Sequence, residues 1–118
     1  MEIRNQTKNI LLEDRAKRAG TFFERLKGLI GKNHIESSEA LLLPNCSMIH
    51  TFFMAMKIGL LFLDKNNKVI KVIRSMPPFE MSSAMFKSVS VIELQAGTIE
   101  RTHTDVGDSL SIEADKEK

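Results

Sequence analysis

The apolar residues of this chain are arranged mainly in short runs of strand length, each bounded by turn-forming residues. The clearest pair lies at residues 58–63 and 69–73, and the polar loop between them, residues 64–67, is typical of a β-hairpin. Further runs of this kind lie at residues 9–12, 40–43, 46–56, 89–94 and 109–113. None approaches the ~20 apolar residues of a membrane-spanning helix, so we expect a soluble, mainly β protein without membrane contact.

One segment near the start of the chain has helical spacing instead. Thr21 and Glu24 match a capping box, and Gly31 stands where a helix is expected to stop. The apolar residues between them recur along one stripe, which predicts a short amphipathic helix over residues 22–30. Six or seven short strands together with this helix predict a small β-sandwich, or a partly open barrel, that the helix caps.

The length of 118 residues is that of one ordinary domain. We expect residues 1–113 to form a single globular domain and the charged residues 114–118 to form a flexible tail. Cys46 is the single cysteine, so no internal disulfide can form, and a reducing compartment is indicated. No apolar run follows the charged N-terminus, so no signal peptide is predicted and the expected location is cytoplasmic.

Charge and motif content argue against several classes of function. The 17 basic and 15 acidic residues leave a net charge of +2. Residues 1–34 are more basic, but acids are interleaved there and the chain has no Trp or Tyr to stack on bases, so nucleic-acid binding is not predicted. The sequence has no phosphate-binding loop, zinc-ligand spacing or nucleophile elbow, and no cofactor is predicted.

Residues 46–56 carry the most reactive set of side chains. If this segment is extended, Cys46, Met48, His50 and Met54 share one face, and their thiolate, thioether and imidazole groups are ligands for soft metals such as Cu(I). A cysteine beside a histidine can also form an activated nucleophile. Along one strand, however, Cys46 and His50 stand roughly 13 Å apart, too far for chelation or proton transfer without a bend. Core packing of this face is therefore the favoured interpretation.

Glu93 is a charged residue in apolar surroundings, between Ile92 and Leu94. On a strand it would be either a buried carboxyl with a raised pKa or a group that faces water. Arg25, beside the apolar stripe of the predicted helix, is a candidate partner for Glu93 or for Asp108. Such an ion pair would more often stabilise a fold than catalyse a reaction.

Five sequence blocks recur in a recognisable order, at residues 25–32, 41–54, 58–64, 91–97 and 107–108. Their order and spacing resemble the prokaryotic family known as domain of unknown function 192. The resemblance implies a compact β-rich domain with a helix near its start, and it implies no activity.

Two features of the resemblance bear on function. One branch of the family has a pattern that is matched here by Cys46, Ile49, His50, Thr51 and Met54. Another branch has no cysteine in this segment, which argues against an indispensable thiol. This chain also departs from the family, with Gly59 where members usually have aspartate and Lys32 where many have arginine. A function that needs that aspartate would be lost or altered here.

We therefore expect a small binding or accessory domain that recognises a small ligand or a protein partner through a polar pocket around His50. The candidate ligand-binding residues are Arg25, Cys46, His50, Thr51, Met54, Glu93 and Asp108. Two alternatives stay open, an enzyme that uses Cys46 and His50, and a soft-metal site formed by Cys46, Met48, His50 and Met54.

Overall fold

The computed structural model describes residues 1–18, 40–44, 58–76 and 87–114. Within these ranges the chain forms eight strands and one short helix. In chain order they are β1 (Glu2–Asn5), β2 (Ile10–Glu13), β3 (Ala16–Arg18), β4 (Ala40–Pro44), β5 (Ile58–Leu63), β6 (Val69–Met76), β7 (Ser90–Gln95), α1 (Thr98–Thr102) and β8 (Leu110–Glu113). The helix predicted over residues 22–30 and the segment 46–56 lie outside the described residues.

The strands form two sheets. A three-stranded sheet has the order β2-β1-β8, and a five-stranded sheet has the order β3-β4-β7-β5-β6. All the pairings are antiparallel except that of β3 with β4, which is parallel. The prediction of a mainly β fold is confirmed, and the two sheets do not close into a barrel within the part of the chain that the structure describes.

The main apolar core lies between the two sheets. Alternation along β7 directs Ile92 and Leu94 into this core, where they join Ile3 of β1 and Leu110 of β8. We call this side of the five-stranded sheet the inner face. Each such side chain contributes about 1.5–3 kcal/mol when it is fully buried, so the contact between the sheets is a dominant source of stability.

The predicted hairpin is confirmed. Strands β5 and β6 pair in antiparallel register, from Leu60 opposite Ile73 to Leu63 opposite Val69. The carboxylate of Asp64 accepts hydrogen bonds from the backbone amides of Asn66 and Lys68, at 2.8 and 3.0 Å, and so organises the loop. The residue between these two, Asn67, adopts a left-handed φ of 60°, which Asn tolerates better than most residues.

Gly59 of β5 lies on the inner face, beside α1. A Cβ atom at this position would stand 3.0 Å from Cδ1 of Ile99 and 3.4 Å from the carbonyl oxygen of Arg74. The missing side chain therefore allows Ile99, which is 1% exposed, to pack directly on β5. This contact gives a physical reason for the glycine at the position where the family resemblance leads one to expect aspartate.

We expect Gly59→Asp to destabilise the protein by about 2–4 kcal/mol, because it puts a charged side chain into the Ile99 contact. Gly59→Ala should cost less, since the tight contact of its methyl group is with the flexible end of Ile99, and the Arg74 carbonyl oxygen lies at ordinary contact distance. The double variant Gly59→Asp/Ile99→Ala should cost less than the sum of its single substitutions. Urea denaturation would check this order, and full additivity in the double variant would contradict the steric cause.

Candidate functional site

Glu93 lies at the centre of the five-stranded sheet. It is on β7, the middle strand, directly between Leu41 of β4 and Leu60 of β5. Alternation places its side chain with that of Val91, on the side turned away from the three-stranded sheet, which we call the far face. The buried members of the far face are apolar, and two lysines, Lys17 and Lys71, lie on the same face at its edge strands β3 and β6. The buried members are Leu43, Ile58, Leu60, Phe62, Met76 and Val91.

The environment of Glu93 is unusual for a carboxyl group. The residue is 0% exposed, and neither oxygen has a hydrogen-bond partner in the described part of the chain. Burial disfavours the charged form and raises the pKa of Glu93 to about 7. At neutral pH the group is therefore divided between a neutral form, which can donate a hydrogen bond, and a carboxylate, which only accepts. An unpaired buried polar group of this kind costs about 1–3 kcal/mol.

Asp108 is in a different environment, just before β8. Its Oδ2 accepts hydrogen bonds from Asn5 Nδ2 at 2.9 Å, Lys8 Nζ at 2.8 Å and the Asp105 amide at 2.9 Å. Burial raises the pKa of Asp108, but the hydrogen bonds from Lys8, Asn5 and Asp105 together outweigh it, and the net pKa is below the ordinary value. The carboxylate thus ties the loop after β1 to the loop before β8.

The structure does not bring Glu93 and Asp108 together. Glu93 is on the far face of the five-stranded sheet, whereas Asp108 precedes β8 of the other sheet, which packs against the inner face. Asp108 is also satisfied by protein groups, and Glu93 is not. The other predicted ligand-binding residues, Arg25, Cys46, His50, Thr51 and Met54, lie outside the described residues, as does Met48 of the metal alternative.

An open depression beside α1 was not predicted from the sequence. Its charged lining residues are Lys8, Arg74, Glu100 and Asp105, two cations and two anions. Arg74 Nη2 lies 3.2 Å from Asp105 Oδ1, and Lys8 pairs with Asp108 at 2.8 Å. Both cations are therefore paired with an aspartate, so this depression has little electrostatic attraction for an anion.

Among the described residues, no His, Cys, Asp and Glu side chains are grouped in threes as a metal site would require. The described part of the chain also contains no helix with the length and apolar character needed to cross a membrane.

Comparisons with known proteins agree with the β-rich architecture. A family model, DUF192 (Uncharacterized ACR, COG1430), matches residues 3–112. A UPF0127 protein from Thermococcus sibiricus (strain DSM 12597 / MM 739) is 30% identical over 119 residues, which cover 97% of this chain and 76% of that protein.

Two crystal structures are similar in fold. A protein of unknown function from Novosphingobium aromaticivorans DSM 12444 superposes with a TM-score of 0.80 and 17% identity, covering 95% of this chain and 84% of its own. A protein from Sinorhizobium meliloti 1021, provisionally assigned as a transcription regulator, has a TM-score of 0.76 and 17% identity. The superposition covers 93% of this chain and 89% of that protein's chain. At this identity the two structures bear on the fold alone.

We expect the stability of the protein to fall between about pH 4.5 and 7 because of Glu93. The pKa of its carboxyl is 4.5 in the unfolded chain and about 7 in the folded protein. The folded state therefore binds more protons in this pH interval. The contribution of Glu93 to the free energy of unfolding is fully present below pH 4.5. It falls by about 3 kcal/mol as the pH rises through 7. Urea denaturation of the wild type and of Glu93→Gln would measure the difference, which should shift with pH by this amount.

The exposed residue Glu100 supplies a matched control for that experiment. Glu100→Gln removes a carboxylate at the surface and should follow the wild type at every pH. A constant difference between the wild type and Glu93→Gln across the interval would contradict the assignment of the pKa to Glu93.

We expect Asp108→Ala to lower the free energy of unfolding by about 3 kcal/mol, because it leaves Asn5 buried without its carboxylate partner. Asp105→Ala is the control, since the Asp105 carboxylate is 64% exposed and its ion pairs should contribute about 0–1 kcal/mol. Thermal or urea denaturation at neutral pH would compare the two. Equal losses would show that Asp108 is not the centre of this network.

Proposed function

Because the chain belongs to the DUF192 family, a family of uncharacterised proteins, we propose its function from the chemistry of its own residues. It is a small binding or accessory domain, and the Glu93 carboxyl on the far face is the centre of its ligand site. The observation that supports this proposal is that Glu93 is fully buried and yet has no hydrogen-bond partner within the described residues.

The surroundings of Glu93 favour a small ligand with an apolar body and an N–H group. Leu41 and Leu60 flank the carboxyl across the sheet and offer only apolar contact. With a pKa of about 7, the carboxyl can pair with an amide in its neutral form and with an amine or amidine in its charged form. A ligand that supplies this partner would offset the cost of the unpaired group, about 1–3 kcal/mol.

The remaining members of the proposed site come from the sequence. Arg25, His50 and Thr51 are polar residues that we propose to complete the pocket around Glu93. We also propose a cytoplasmic location, which the single cysteine of the chain supports.

The proposal is testable with two small probes, benzamide and benzamidine. Methyl NMR spectra should show shifts of Leu41, Leu60 and Val91 on addition of either compound. Benzamidine should bind more tightly at about pH 8 than at about pH 6, because Glu93 becomes a carboxylate over this range, whereas benzamide should not gain affinity. Glu93→Leu should weaken both by roughly tenfold or more.

Glu100→Gln is again the matched control, and it should bind both probes as the wild type does. The proposal would be contradicted if Glu93→Leu bound both probes with unchanged affinity, or if neither probe shifted a methyl group of the far face. In either case Glu93 would be a destabilising core residue, and Glu93→Leu should then unfold at higher urea concentration than the wild type.

A further inference from the structure

A second concavity lies at one end of the core between the sheets. It is an open groove of about 340 Å³, which is within the size range of small-molecule sites. Arg18 and Leu42, which are register partners on β3 and β4, form one side. Pro44 of β4 and its register partner Ser90 of β7 extend this side, and Ile112 of β8 lines the groove from the other sheet. We call this concavity the Arg18 groove.

The charge of the groove is not balanced. Arg18 is the only charged residue in its described lining, and its side chain makes no hydrogen bond or ion pair within the described residues. Other arginines are engaged: Arg4 lies 3.5 Å from Glu2, and Arg74 lies 3.2 Å from Asp105. A guanidinium without a counterion has a planar fork of donors that matches carboxylate and phosphate oxygens.

The groove also offers an apolar surface that nothing in the described chain covers. Val89, which lines it, is 43% exposed and is one of two large hydrophobic residues exposed among the described residues. Leu42 and Ile112 extend this apolar surface, while Asn67 and Ser90 add polar groups beside it. A ligand suited to this lining has an anionic head for Arg18 and an apolar portion for Val89.

We propose that the Arg18 groove binds a small organic anion, with a carboxylate or phosphate head and a short apolar portion. This site is separate from the Glu93 site, because its sheet residues Arg18, Leu42 and Ser90 lie on the inner face, whereas Glu93 lies on the far face. The two sites also differ in the charge they select. An experiment can therefore contradict the proposal for one site without contradicting the proposal for the other.

Amide NMR titrations of the whole chain at neutral pH would test the proposal, with hexanoate, hexyl phosphate and neutral hexanamide as probes. At least one of the anions should shift Asn67, Val89 and Ser90, and the two anion arms tell a carboxylate ligand from a phosphate ligand. Hexanamide should bind at least roughly tenfold more weakly, because it keeps the apolar chain and loses the charge. Equal binding of hexanamide, or no shift in the groove at about 10 mM of either anion, would overturn the proposal.

Three single-residue variants would show whether the anionic probes bind in the Arg18 groove. Arg18→Gln, an exposed substitution, should weaken the anion by roughly tenfold or more, whereas Arg74→Gln, in the depression beside α1, should change it less than about twofold. Val89→Asp should also abolish binding, because it supplies a carboxylate next to Arg18. Each variant should keep the dispersed spectrum of the folded wild type. Equal effects of the two arginine substitutions would mean that only the overall charge matters, and would overturn the site.

Discussion

The position of β7 between β4 and β5 is the constraint on which the rest of the structure depends. This strand is hydrogen-bonded on both sides, and it is buried along most of its length. Its side chains therefore alternate between two buried environments rather than between core and water. Ile92 and Leu94 hold the two sheets together, while Val91 and Glu93 belong to the far face. Any residue placed on β7 must be compatible with burial, and Glu93 is the exception.

That exception connects the stability of the sheet with the ligand site that we propose. A leucine in place of Glu93 would be compatible with its two register neighbours on the far face, Leu41 and Leu60. The carboxyl instead lowers the stability of the folded state at neutral pH, because its ionised form is buried away from solvent and has no hydrogen-bond partner within the described residues. A polar group held at this disadvantage is typical of a site that meets a ligand, as strained or unpaired groups cluster where binding or catalysis takes place.

The sequence predicts best those elements whose signal is local. The hairpin of β5 and β6 has apolar strands and a turn in consecutive residues, and β7 is an apolar run of its own. By contrast, β1 was not predicted, because one of its inward residues is Asn5, and Asn5 is satisfied by Asp108, which is 103 residues away in the chain. The five-residue helix α1 is too short to display a helical period. The Arg18 groove was missed for the same reason as β1, since its residues come from separate segments that only the fold brings together.

The position of Gly59 distinguishes two possible effects of its missing side chain, the loss of a functional carboxylate and a change in packing. The sequence alone could not distinguish them. The absence of a side chain at Gly59, where the family resemblance leads one to expect aspartate, raised the question of whether a functional carboxylate has been lost. Gly59 faces α1 on the inner side of β5, whereas the next residue, Leu60, faces Glu93 on the far side. The substitution therefore alters the packing of Ile99 and leaves the surroundings of Glu93 unchanged. A carboxyl group, that of Glu93, is present in the middle of the sheet, one strand away, and this group is the centre of the ligand site that we propose.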